Sequence, residues 1–260
     1  MRYAIYQIDA FTQQLFGGNP AAVVIMDEWV ADDRLQAIAA ENNLAETAFV
    51  VPGEGTRPLR WFTPTVEVNL CGHATLAAAD VLFRHYGPQR ERIDFDTRSG
   101  TVSVFRNGEL LSLDFPARPG EPASVSDALV EALGARPSEV RQSRDLMAVF
   151  DDEQAVRNLT PDMGAIAALD TFAVTVTAPG TDVDFVSRFF APGAGVPEDP
   201  VTGSAHCTLI PYWAERLGRR RVTARQVSAR GGQLEGEWLG DRVSIGGHCV
   251  EYLRGTIEVA

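Results

Sequence analysis

Two stretches of the 260-residue chain place glycine and small residues directly before an apolar helix: Cys71-Gly72-His73-Ala74-Thr75 and Thr202-Gly203-Ser204-Ala205-His206. At such a start the unpaired backbone N–H groups and the helix dipole attract a carboxylate or another anion. Gly72, Gly203 and Ser204 are therefore candidates for holding a small anionic molecule. Glycine also lets a strand turn tightly into a helix. That plainer role fits either stretch alone, and the duplication brings binding level with it. Glu46 stands in NLAETAFV, at the entry to an apolar strand. A carboxylate there is either a solvated residue of the preceding turn or a buried group that is paired or functional. Burial predicts a raised pKa, toward the range that suits proton transfer. His73 lies inside the first helix start, where the dipole predicts a neutral imidazole. Asp199 lies in PEDPVTGSA just ahead of the second start, although Asp before Pro is also an ordinary turn signal.

Other chemistries find no support. His206-Cys207 and His248-Cys249 are adjacent pairs whose side chains diverge on any regular element, and CxxC, HxxxH and HExxH are absent, so no metal is expected. Residues 193–198 depart from GxGxxG at the last position and carry a proline; GxSxG is absent too. All 23 basic residues are arginine. Without lysine the chain cannot be a pyridoxal-phosphate Schiff-base enzyme, a P-loop NTPase or a protein kinase. The net charge of −12 disfavours nucleic acid and anionic membrane surfaces as partners. Three cysteines, Cys71, Cys207 and Cys249, cannot all pair within the chain, which suits a reducing compartment. The N-terminus lacks the apolar run of a signal peptide, and no apolar run approaches the roughly 18 residues of a membrane helix. The expected location is the cytoplasm.

The elements that must position these residues repeat. Phe62-Thr63-Pro64 matches Phe190-Ala191-Pro192 at an offset of 128, and Gly72-His73-Ala74 matches Gly203-Ser204-Ala205 at 131. Arg98, Gly100, Gly108 and Ser112 match Arg230, Gly232, Gly240 and Ser244, each 132 apart. Alternating or apolar runs predict strands over 3–9, 21–26, 47–51, 102–105 and 110–115, and again over 146–150, 172–177, 226–229 and 242–245. Asn107-Gly108 signals a hairpin. Residues 33–42 and 126–134 read as amphipathic helices, the second with a serine cap and a terminal glycine. Residues 74–83 and 207–214 are apolar nearly all round and so read as buried helices, with Pro211 near the first turns of the latter or kinking it. Each half thus reads as a curved sheet wrapped around one central helix, with the proline-rich stretch 116–122 as linker.

The blocks FxGNPAAVV (16–24), NLAETAFV (43–50), FTPTVEVNLCGHAT (62–75) and GVPEDPVTGSAHC (195–207) resemble the PhzF, phenazine biosynthesis-like family. The resemblance implies an α+β fold like that of diaminopimelate epimerase: two pseudo-symmetric halves, 1–118 and 119–260 with the last strand able to return to the first, each a β-barrel-like sheet around a buried helix. The site would lie between the halves. The resemblance also implies a cofactor-independent isomerase, a homodimer, acting on a small carboxylic acid. Glu46 would be the acid/base, with His73 and Asp199 orienting the substrate or relaying the proton, and Gly72, Gly203 and Ser204 binding it. Ala45 departs from the serine that many members carry before the glutamate. Cys71 stands where the epimerase relatives have one of two catalytic cysteines, but its repeat mate is Thr202, which disfavours a two-thiol racemase. Two other readings stay open: a racemase, epimerase or dehydratase using Cys71, and a non-catalytic small-anion-binding protein.

Overall fold

The computed structural model describes residues 1–53 and 55–259. The chain forms two compact units, Met1–Asp114 with Gly246–Ala260 and Phe115–Ile245, against the expected 1–118 and 119–260.

The first unit runs β1 (Arg2–Ala10), β2 (Asn19–Ile25), α1 (Asp32–Asn42), β3 (Glu46–Val50), β4 (Arg57–Phe62), the short β5 (Glu67–Val68), α2 (Gly72–Val81), β6 (Arg92–Thr97), β7 (Gly100–Asn107) and β8 (Leu110–Pro116). β1 and β2 are antiparallel, and α1 carries the chain over to a parallel β3. β4 returns antiparallel, and α2 carries the chain to β6, which runs parallel to β4. β6, β7 and β8 then pair as antiparallel hairpins. Asn107-Gly108 makes the last of these turns, with Gly108 at φ +63° where a side chain would be strained. Helix α2 is buried from His73 to Val81. It packs against β1, β2, β3 and also β7, strands far apart in the pairing order, so the sheet curls around it. Four alanines in the helix, Ala74, Ala77, Ala78 and Ala79, are wholly buried and let the strands approach closely. Helix α1 covers the outside, with Leu35, Ile38 and Ala39 packed on Phe49 and Phe62.

The second unit runs β9 (Glu121–Ala123), α3 (Asp127–Leu133), β10 (Glu139–Gln142), β11 (Leu146–Val149), α4 (Glu153–Asn158), α5 (Met163–Ala167), β12 (Val174–Pro179), β13 (Phe185–Phe190), α6 (Gly203–Leu217), β14 (Arg221–Gln226), β15 (Gly232–Trp238) and β16 (Arg242–Gly247). The succession of pairings is the same as in the first unit. β10 and β11 are antiparallel, β11 and β12 parallel across α4 and α5, and β12 and β13 antiparallel. β13 and β14 are parallel across α6, and β14 and β15 antiparallel. The repeated blocks fall at equivalent places: Phe62 and Phe190 close β4 and β13, and Gly72 and Gly203 open α2 and α6. Strand periodicity sorts the two faces of this sheet. Val174, Val176, Ala178 and Val186 form a core with α3, α4 and α5. On the other face Trp213 of α6 stacks on Phe185 and donates its indole N–H to Thr177 Oγ1 at 2.9 Å. A final strand, β17 (Cys249–Glu258), pairs antiparallel with β1 along its whole length and belongs to the first unit.

Three expectations need correction. α6 begins four residues before the expected 207 and holds Pro211 in its interior. Proline removes the N–H that would have bonded the carbonyl of Cys207. That carbonyl instead accepts the backbone N–H of Arg118, at 2.9 Å, from the linker. The strand expected over 226–229 ends at Gln226; β14 occupies 221–226, where arginines and threonine mask the alternation of buried Val222, Ala224 and Gln226. The alternation pattern marked no strand over 249–258, because most of β17 is half-exposed or exposed.

Candidate active site

In the first unit the starts of three elements converge. Asn43, in the left-handed region at φ 49°, ends α1, and three residues later Glu46 opens β3 beside Ala21 of β2. Asn19 opens β2 and is wholly buried. Cys71 is the N-cap of α2 and His73 lies in its first turn. Glu46 Oε2 lies 3.1 Å from His73 Nε2, with the side chains 19% and 6% exposed. His73 Nδ1 meets Asn19 Nδ2 at 3.2 Å and Cys71 Sγ at 3.5 Å. Thr75 returns its hydroxyl to the Cys71 carbonyl at 2.5 Å, fixing the first turn.

This geometry reverses both titration expectations. Burial pushes the Glu46 carboxyl up, but the charge of His73 and hydrogen bonds from His73 and Cys71 outweigh it and hold the group below its ordinary 4.5. Burial disfavours a charged His73, but Cys71 and Glu46 together carry its pKa well above 6.5. The sequence argument counted desolvation and the dipole; it left out the partners, whose charges and hydrogen bonds together exceed the burial cost at each group. The Cys71 thiol is pushed up, by burial first and then by the Glu46 charge. A neutral thiol beside an ion pair is a poor base.

In the second unit Thr202, the repeat mate of Cys71, is likewise the N-cap, here of α6. Its hydroxyl donates to Asp199 Oδ2. Gln226, wholly buried, clamps this segment. Its Nε2 donates to the Asp199 carbonyl at 2.7 Å and to Thr202 Oγ1 at 3.2 Å, and its Oε1 accepts the Thr202 N–H at 2.9 Å. Arg188 holds the neighbouring Glu198 through two nitrogens, at 2.8 and 3.1 Å. Gly203 and Ser204 open α6, and Arg144 reaches Ser204 Oγ at 3.3 Å while paired with Asp145. His206 bonds the Thr202 carbonyl through Nδ1 at 2.7 Å, and burial lowers its pKa to about 4, so the ring is neutral.

The structure thus brings Glu46, Gly72 and His73 together in the first unit, and Asp199, Gly203 and Ser204 together in the second. Asn19, Gln226, Arg144 and Arg188 escaped the sequence reading. Asn19 stood inside a block that was read, with an amide before a proline as its only signal; Gln226 offered none. The sequence also missed that Glu46, Cys71 and His73 present donor atoms within 4.8 Å of one another. Spacing rules detect ligands on one element, and Glu46 comes from another.

A family model described as phenazine biosynthesis-like protein matches residues 8–255. A Pseudomonas aeruginosa protein named as an uncharacterized isomerase is 54% identical over 263 residues, covering 100% of both chains. The crystal structure of a PhzF-family phenazine biosynthesis protein from Enterococcus faecalis superposes with a TM-score of 0.98 at 45% identity, covering 100% of both chains. A hydroxyproline epimerase from Agrobacterium vitis shares the fold alone, with a TM-score of 0.61 at 11% identity over 98% of this chain and 91% of its own.

Proposed function

The chain belongs to the phenazine biosynthesis-like, PhzC-PhzF family of isomerase-type enzymes, and from that premise we propose that it shuttles a proton between carbons of a small carboxylate-bearing substrate with Glu46 as acid/base. The observation that carries this reading is the Glu46–His73 pair, 3.1 Å apart at the start of α2. A carboxylate held in its basic form can take a proton from carbon at once. The imidazolium beside it compensates the carboxylate before the reaction and can relay the proton afterwards. Backbone N–H groups from Gly72 onward favour the negative charge that develops on the substrate. In the second unit Asp199 keeps its proposed orienting role and Gly203 and Ser204 their proposed binding role. The raised pKa of the Cys71 thiol supports the glutamate over the cysteine as the group that carries the proton.

The test is incubation with a panel of small unsaturated carboxylic acids in heavy water, read by proton and carbon NMR. Deuterium should enter at carbon with wild-type protein and not with Glu46→Gln. Binding of the acids without any exchange would leave the anion-binding reading standing instead.

A further inference from the structure

We propose that Glu46, Cys71 and His73 form a binding site for zinc or a similarly thiophilic divalent cation, and that its occupation reversibly blocks the acid/base pair. The donor set is one carboxylate, one thiol and one imidazole, all within 4.8 Å of one another. Zinc takes sulfur at about 2.3 Å and nitrogen or oxygen at about 2.0–2.2 Å in a tetrahedron, which places neighbouring donors roughly 3.3–3.6 Å apart. The edge from Glu46 Oε2 to His73 Nε2, 3.1 Å, is already close to that size, and Cys71 Sγ, which stands 3.5 Å from the other ring nitrogen, Nδ1, shifts toward Nε2 as the ion binds.

Histidine binds an ion through one nitrogen and needs a partner on the other. Nε2, facing Glu46, is the ligand nitrogen; the outer partner is the Asn19 carboxamide, whose Nδ2 stands 3.2 Å from Nδ1 and which turns over so that its oxygen accepts the Nδ1 proton. A helix start disfavours a cation, but a carboxylate and a thiolate cancel the charge of a divalent ion and leave the site neutral. The thiol proton and the proton between Glu46 and His73 pass to the buffer as the ion binds. Sulfur and nitrogen donors select against magnesium and calcium, which require oxygen. Glu46, at 19% exposure, provides the approach from solvent, and three protein ligands leave a fourth position for water.

Binding rests on the donor set alone, and the block rests on the proton-transfer reading above, so the two are tested apart. Cobalt(II) titrated into the whole protein should give a thiolate-to-cobalt charge-transfer band and strong tetrahedral visible bands. Zinc should abolish both, and magnesium should not. Cys71→Ala and Cys71→Ser, checked for fold by circular dichroism, should both lose the charge-transfer band, and Glu46→Gln should weaken cobalt at least about tenfold. No cobalt spectrum in wild-type protein, or a band that survives in either cysteine variant, overturns the site. In the second arm zinc should stop deuterium exchange and a chelator restore it. Exchange that continues with zinc bound overturns the block and counts against the glutamate reading rather than the site.

Discussion

Glu46 and His73 stabilise each other's charged forms, and that fixes two measurable behaviours. Glu46→Gln keeps size and most hydrogen bonding but removes the proton site. General acid–base catalysis contributes typically about 10²–10⁴ in rate, so deuterium exchange should fall at least about 10²-fold, while sulfate or carboxylate binding stays nearly unchanged. Cys71→Ala should cost only a few-fold, on the order of what packing loss at a helix start explains. The reverse ranking would favour the cysteine mechanism. The same pair sets a pH window for stability. A carboxyl held below 4.5 stabilises the fold above that value and ceases to as pH falls through its lowered pKa. A histidine held above 6.5 stabilises the fold below that value and ceases to as pH rises through its raised pKa. The melting-temperature difference between wild type and His73→Asn should therefore be largest from about 4.5 to 6.5 and shrink on both sides. A difference that kept growing toward alkaline pH would contradict the ion pair. The identity of this carboxylate was legible in NLAETAFV; its protonation was not, because that depends on a residue 27 positions away.

Among the elements, α6 shows what a local reading can and cannot recover. Its apolar run announced a buried helix over 207–214, with Pro211 near the first turns or at a kink, whereas the helix starts at Gly203 and holds Pro211 in its interior. The compensating N–H comes from Arg118, distant in sequence, so no window around Pro211 contains the answer. The same helix sets a steric test. A Cβ on Gly236 of β15 would lie 2.6 Å from Ile210 Cγ1 and 2.7 Å from Cδ1. Gly236→Ala should destabilise by about 1–3 kcal/mol. Combined with Ile210→Ala, which frees that space, it should cost less than the sum of the two single changes in denaturant melts. Additive costs would mean that α6 does not press on β15 there. Gln226→Leu should likewise lose stability, because it strips three hydrogen bonds from the Asp199–Thr202 segment and leaves the Thr202 N–H buried without its acceptor.

For the whole molecule the repeat was the informative signal: matching blocks at offsets of 128 to 132 correspond to equal positions in two identical successions of strand pairings. Helices with a one-sided apolar pattern and caps, such as α3 with Ser126 and Gly134, were read to within a residue. Exposed or arginine-rich strands were not, because their register comes from neighbours rather than from alternation. The extreme case is β17, whose pairing with β1 runs from Arg2 opposite Glu258 to Ala10 opposite Cys249. Deleting 249–259 should unfold the first unit, seen as loss of amide-exchange protection in β1 and β2, while protection in β12 and β13 persists.

That pairing also dictates an order of events on the ribosome. Of the strands described, β1 is made before all others and its partner β17 after all others. The unit containing Glu46 and His73 therefore stays open along β1 while all of residues 115–245 are being made, and the second unit can close before the first does. Through that interval β1 offers unpaired backbone groups to any passing strand. Slow translation or a stall before residue 249 would leave this chain with an adhesive edge and no acid/base site, whatever the stability of the finished fold.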